Sequence, residues 1–160
     1  MDMEIYKNEE LRQQIVEEGG KWVGQQQFWL FGTAKYGDGT IISREQAEKD
    51  ASKFFNKLDR TLLTRKEVID GNRLERLVFI ETGRTRDNMH IHFFIKGNEY
   101  VSYEQIVEQC EMIWMEEFDN TYEMDTRDNR NVGNVRDAYC YKEMNNLNAD
   151  VLHVKCCHIN

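Results

Sequence analysis

The run Met89-His90-Ile91-His92-Phe93-Phe94-Ile95-Lys96 constrains this chain more than any other segment. Side chains of a strand point alternately to opposite faces. Met89, Ile91, Phe93 and Ile95 therefore share one face, which suits packing under helices. His90, His92 and Phe94 share the other. Two imidazoles side by side on a sheet are costly unless hydrated, hydrogen-bonded or bound to a cation. Residues 74–81 (LERLVFIE) also read as a strand, and the polar segment 82–88 (TGRTRDN) reads as a hairpin connection. Such a hairpin sets Glu81 across from the two histidines.

The remaining segments supply partners for that hairpin. Residues 4–18 place Leu11 and Ile15 on one side of a short amphipathic helix, which Gly19-Gly20 is expected to end. Residues 26–36 (QQFWLFGTAKY) read as a buried strand and Gly37-Asp38-Gly39 as a turn. Ser43 reads as an N-cap with Gln46 as its capping-box partner, and Ala47, Ala51, Phe54, Phe55, Leu58 and Leu62 follow at helical spacing, predicting a helix over 44–64. Ser102 caps another helix running to about Phe118, with Ile106, Val107, Cys110, Ile113 and Trp114 inside. Residues 121–126 read as a short strand, 131–134 as a loop, 135–146 as a helix, and 150–156 as a last strand. This order needs only short connections. It predicts one α+β domain over residues 1–160, with a central antiparallel sheet of about five strands and helices mainly on one face. Residues 1–20 read as an accessory extension.

Composition narrows the class. Lys and Arg total 21 against 29 Asp and Glu, a net charge of −8, and 40% of the 160 residues are apolar. That apolar share supports a real core and argues against disorder. Proline is absent, which excludes Pro-rich linkers. No stretch approaches the ~18–20 uncharged apolar residues of a spanning helix. The acidic N-terminal segment lacks the features of a secretory signal. Cys110, Cys140, Cys156 and Cys157 contain no CxxC spacing, so a reduced, intracellular setting is expected. Cys156-Cys157-His158 with His153 admits a soft-metal reading, but a terminal strand with small apolar side chains explains it more simply.

Two groups of residues carry chemistry. Two histidines and a carboxylate with open positions suit a divalent metal that must also bind substrate. A His-x-His pair by itself fits an ordinary half-exposed sheet surface better than a metal site. The strand carrying Glu81 is what favours the metal. On the helix over 135–146, Tyr139 and Lys142 are three residues apart and project together, whereas Tyr141 diverges. A lysine beside a tyrosine favours phenolate and offers charge to a phosphate. An amphipathic helix with a surface lysine is the plainer alternative.

Taken in order, Glu81, His90-Ile91-His92 and Tyr139-Cys140-Tyr141-Lys142 resemble the motifs of the HUH endonuclease superfamily. They are most similar to its single-tyrosine replication initiators of rolling-circle replication, found in small viruses and plasmids. The resemblance spans roughly residues 26 to 145, with FWLFGTAKY at the position of the family's first motif strand. It implies a ferredoxin-like or RRM-like sheet and Mg2+ or Mn2+ held by Glu81, His90 and His92. It also implies Tyr139 as the nucleophile, assisted by Lys142. The implied reaction is site-specific nicking and rejoining of single-stranded DNA through a 5′-phosphotyrosine. The implied partners are an origin strand or hairpin and a separate helicase and polymerase, since no GxxxxGK[ST] loop is present. A virus- or plasmid-encoded protein in the cytoplasm of a microbial host follows from the same resemblance, with no membrane partner. A tyrosine that follows the histidines speaks against conjugative relaxases, and Tyr139 and Tyr141, two apart, against two-tyrosine initiators. A single-tyrosine transposase of a small insertion sequence remains an alternative, as do a non-catalytic nucleic-acid-binding module and a host-interaction protein. Arg84, Arg86 and Arg136 are candidate DNA contacts, although a solvated loop explains the first two almost as well.

Overall fold

A computed structural model describes residues 9–82, 89–119, 121–130 and 152–159. In chain order the elements are α1 (Glu9–Gln25), β1 (Leu30–Lys35), α2 (Arg44–Leu62), α3 (Arg65–Ile69), β2 (Glu75–Thr82), β3 (Met89–Lys96), α4 (Tyr103–Met112) and β4 (Glu123–Asp128). A π-helical turn, Ile113–Phe118, extends α4, and a 3-10 turn, Val154–Cys156, lies in the C-terminal tail. From β1 to β4 the connectivity is the βαββαβ pattern of ferredoxin-like folds. The strands form one antiparallel sheet in the order β2-β3-β1-β4.

Strand parity decides which residues meet the helices. Met89, Ile91, Phe93 and Ile95 pack with Leu30 and Ala34 of β1, Val78 and Ile80 of β2, and the inner faces of α2 and α4. Phe54 and Phe55 of α2 place their rings 5.8 and 5.3 Å from that of Phe93. Gly32 lies opposite Phe93 in the register, and any Cβ there would overlap the Phe93 ring. Glycine in mid-strand is therefore a packing requirement. Trp114, fully buried in the π-helical turn, donates from Nε1 to the Lys35 carbonyl at 3.0 Å and so fixes the end of β1.

Caps follow the sequence closely. Ser43 accepts from the Gln46 N–H, while the Gln46 side chain turns to Asp50 instead of closing the box. Ser102 and Gln105 form a complete capping box. Gly39, at φ +76°, supplies the left-handed residue of the turn after β1. The short α3, capped by Thr64 and Glu67, falls where no element is expected from the sequence.

Two expectations need correction. Gly19-Gly20 does not end α1, which continues to Gln25. Val23, in the turn beyond them, is buried against Phe28, Phe31 and Phe94 on the second face of the sheet, with Ile15 and Val16 alongside. Burying those side chains outweighs the roughly 1 kcal/mol that each helical glycine costs. Among the described residues the sheet has four strands, where about five are expected. The segment 150–156 is not a continuous strand where it is described. Instead the tail lines the outer edge of β2 through two isolated bridges, Phe79 with Leu152 and Arg76 with His158. The tail spends six residues where β2 spends three, and the surplus is taken up by the turn at Val154–Cys156.

A buried ion pair anchors this edge. Asp59, on the inner face of α2, accepts twice from Arg76 Nη1 at 2.9 Å and once from the Leu74 N–H. Arg76 Nε in turn donates to the Cys156 carbonyl at 2.8 Å. Among the described residues no helix is long and apolar enough to cross a membrane.

Candidate functional site

The second sheet face changes character along its length. Register places Leu77, Phe94 and Phe31 in one row, then Phe79, His92 and Thr33, then Glu81, His90 and Lys35. The apolar rows are covered by Val23 and Phe28, with Ile15 and Val16 of α1 and Leu152 of the tail. The polar end lies at the close of β2 and the start of β3, where the hairpin expected from the sequence is observed.

Glu81 is the register partner of His90, but its carboxylate reaches the diagonal neighbour. Glu81 Oε2 lies 2.5 Å from His92 Nε2, and both side chains are buried. The other nitrogen, His92 Nδ1, lies 3.0 Å from Thr33 Oγ1 on β1. A neutral ring protonated at Nε2 donates to Glu81 and accepts from the Thr33 hydroxyl. An imidazolium donates to both. The ring also stacks on Phe31, with centroids 5.7 Å apart and planes 13° apart. Three strands therefore hold His92 in one orientation. His90 is half-buried, its ring 6.0 Å from that of His92 and nearly perpendicular to it.

The structure thus brings Glu81 and His92 into contact and sets His90 beside them on the same face. Among the described residues no three His, Cys, Asp or Glu side chains gather closely enough to hold an ion. The donor chemistry nevertheless fits a divalent cation. A carboxylate oxygen and an imidazole nitrogen face each other, and the far nitrogen of that imidazole is already engaged by a hydroxyl, the arrangement that orients metal-ligating histidines. Arg84, Arg86, Arg136, Tyr139 and Lys142 lie outside the described residues.

Thr33 and Lys35 were not singled out from the sequence. Period-two counting from Phe31 marks both, since each is a polar residue on the histidine face of an otherwise apolar run. The cysteines of the tail make polar contacts with α2 and β2. Cys156 Sγ lies 3.3 Å from Ser52 Oγ, and Cys157 Sγ accepts from the Val78 N–H at 3.3 Å. Burial pushes both thiols above their ordinary pKa, which disfavours the thiolate a soft metal would need.

In geometric terms these features define a class: a ferredoxin-like antiparallel sheet with a carboxylate and two histidines at one end of a face. No protein-family model, curated protein or solved structure matches the chain.

Proposed function

We propose that the protein is a metal-dependent endonuclease and strand-joining enzyme acting on single-stranded DNA, an initiator of rolling-circle replication. The observation that carries this reading is the meeting of Glu81 and His92, on the face that also carries His90, within a sheet of this connectivity. Glu81, His90 and His92 would hold Mg2+ or Mn2+, and Thr33 would fix the His92 ring. When bound, the ion supplies positive charge to the non-bridging oxygens of the scissile phosphate.

In this reading Tyr139 attacks phosphorus in line. The P–O bond to the 3′ oxygen breaks, that oxygen takes up a proton, and a 5′-phosphotyrosine and a free 3′-hydroxyl result. A tyrosine is a poor nucleophile at its usual pKa of ~10, and Lys142, three residues on, would favour the phenolate. Run backwards, the same step joins strands. Arg84, Arg86 and Arg136 would contact the DNA strand or origin hairpin, and a separate helicase and polymerase would act on the product.

A non-catalytic binding module of the RNA-recognition type is disfavoured by one finding. Such a sheet stacks bases on exposed aromatics, but Phe94 and Phe79 are fully buried and Phe31 is nearly so.

The test is incubation of the full chain with a pool of labelled single-stranded DNA and Mn2+, followed by denaturing electrophoresis. A covalent protein–DNA adduct is expected, lost on chelation and in Tyr139→Phe and reduced in His92→Ala. An adduct that persists in Tyr139→Phe, or that forms equally well without metal, overturns the reading.

A further inference from the structure

Lys35 ends β1 on the face that carries the histidines. Its register partner on β3 is His90, which in turn pairs with Glu81 on β2. On its other side it pairs with Glu123 of β4. The row across the sheet is therefore Glu81, His90, Lys35, Glu123. The backbone at Lys35 is held by the bond from Trp114.

The side chain of Lys35 is half-buried, yet among the described residues it makes no ion pair. Five of the other described lysines are engaged, since Lys21, Lys49, Lys57 and Lys96 each meet a carboxylate and Lys53 lies over the Phe118 ring, while Lys66 and Lys155 are exposed to water. Glu123 is exposed and forms no bridge to Lys35. Asp125, two residues on along the same face of β4, is taken by Arg127. Placing an ammonium in a half-buried position without a carboxylate sacrifices solvation, and an anionic ligand recovers it. The row puts this cation on one side of His90 and the Glu81–His92 pair on the other.

We infer that Lys35 is a substrate-binding cation, donating to a non-bridging oxygen of one backbone phosphate of a single strand laid across His90. This rests on the proposed function and names the residue from β1 that seats the phosphate. It also explains the need for a lysine inside the strand segment FWLFGTAKY, where the neighbouring residues serve packing.

The test uses the full chain carrying Tyr139→Phe, so that the strand stays intact. Its ligand is a short single strand selected from a random pool by the unsubstituted chain. Binding is measured by fluorescence anisotropy for the natural strand and for a set in which one linkage at a time is a neutral methylphosphonate. Lys35→Gln should weaken binding of the natural strand about tenfold to a hundredfold, and Lys35→Arg should recover most of that loss. At one linkage the methylphosphonate should cost the lysine-bearing chain a similar factor and cost Lys35→Gln nothing further. An unchanged affinity in Lys35→Gln, or a loss that is the same at every linkage, overturns the inference. The adduct assay on the unsubstituted chain runs in parallel. An adduct without a Lys35 effect removes only this inference, whereas a charge-specific Lys35 effect without an adduct removes only the proposed reaction.

Discussion

At the scale of single residues, two buried polar contacts carry distinct burdens. Asp59 is 1% exposed and Arg76 5%, so their pairing is made away from water. Removing one partner of such a pair leaves an uncompensated buried charge, at a cost of about 3–5 kcal/mol. Asp59→Ala is therefore expected to lower unfolding free energy by about that amount in urea titrations, more than an exposed alanine substitution such as Lys49→Ala. Replacing both partners by apolar residues of similar size should recover much of the loss. Thr33 bears on the proposed metal site through its contact with His92. Thr33→Val keeps the shape and removes the hydroxyl at His92 Nδ1. If Glu81, His90 and His92 hold the ion, calorimetric titration should show Mn2+ affinity reduced about 10- to 100-fold, beside a stability loss of about 1–3 kcal/mol from the buried nitrogen left without its partner. An unchanged affinity would detach Thr33 from the site.

At the scale of elements, the close fit of β1 to β3 sets a sharp limit. Gly32→Ala drives a methyl group into the Phe93 ring, which is itself wedged between Phe54 and Phe55. Overpacking of this kind costs about 1–3 kcal/mol, and a chevron or urea midpoint should register it. The β2–β3 hairpin, the span of β3 and the caps at Ser43 and Ser102 were legible in the sequence, because period-two patterning and capping chemistry are local. The buried Asp59 was not, since an acidic residue in an amphipathic helix normally reads as surface until a distant Arg76 is known to meet it. The diagonal contact of Glu81 with His92 was likewise hidden, because it depends on side-chain reach across the ladder. The tail adds a pH-sensitive element. Burial holds the His153 imidazole below its ordinary pKa of 6.5, with Arg44 and Lys155 acting in the same direction and Glu48 opposing them. The unfolded chain therefore takes up this proton at higher pH than the folded one. The stabilisation is complete above the ordinary value and is lost as pH falls through it toward the folded value. Between about pH 7.5 and 5.5 the parent chain should lose more stability than His153→Gln. Equal losses would show that the tail does not sense the proton.

At the scale of the whole molecule, a net charge of −8 has to be reconciled with the proposed single-stranded DNA substrate. Much of the acidity lies on exposed helix surface. Residues 103–118 carry five glutamates and no Lys or Arg, and α4 packs on the sheet face opposite the histidines. Glu17 and Glu18 of α1 are exposed and face Lys21. At physiological ionic strength charges beyond about 8 Å are largely screened, so α4 need not repel a strand at the polar end of the histidine face, while on α1 Lys21 offsets part of the charge of Glu17 and Glu18. A duplex presents its phosphates over a broad cylinder, which a site at one end of a single sheet face does not match. The cations proposed for the strand are Lys35, Arg84, Arg86, Arg136 and Lys142. Five phosphate contacts correspond to a slope of about −3.5 in log affinity against log salt for a single strand. Anisotropy titrations between about 50 and 200 mM salt should therefore give a slope no steeper than that, with duplex of the same sequence bound much more weakly at every salt concentration. A steeper slope, or duplex binding equal to that of the single strand, would mean that phosphates are met by a surface other than this sheet face, and the assignment of the site to Glu81, His90, His92 and Lys35 would fall with it.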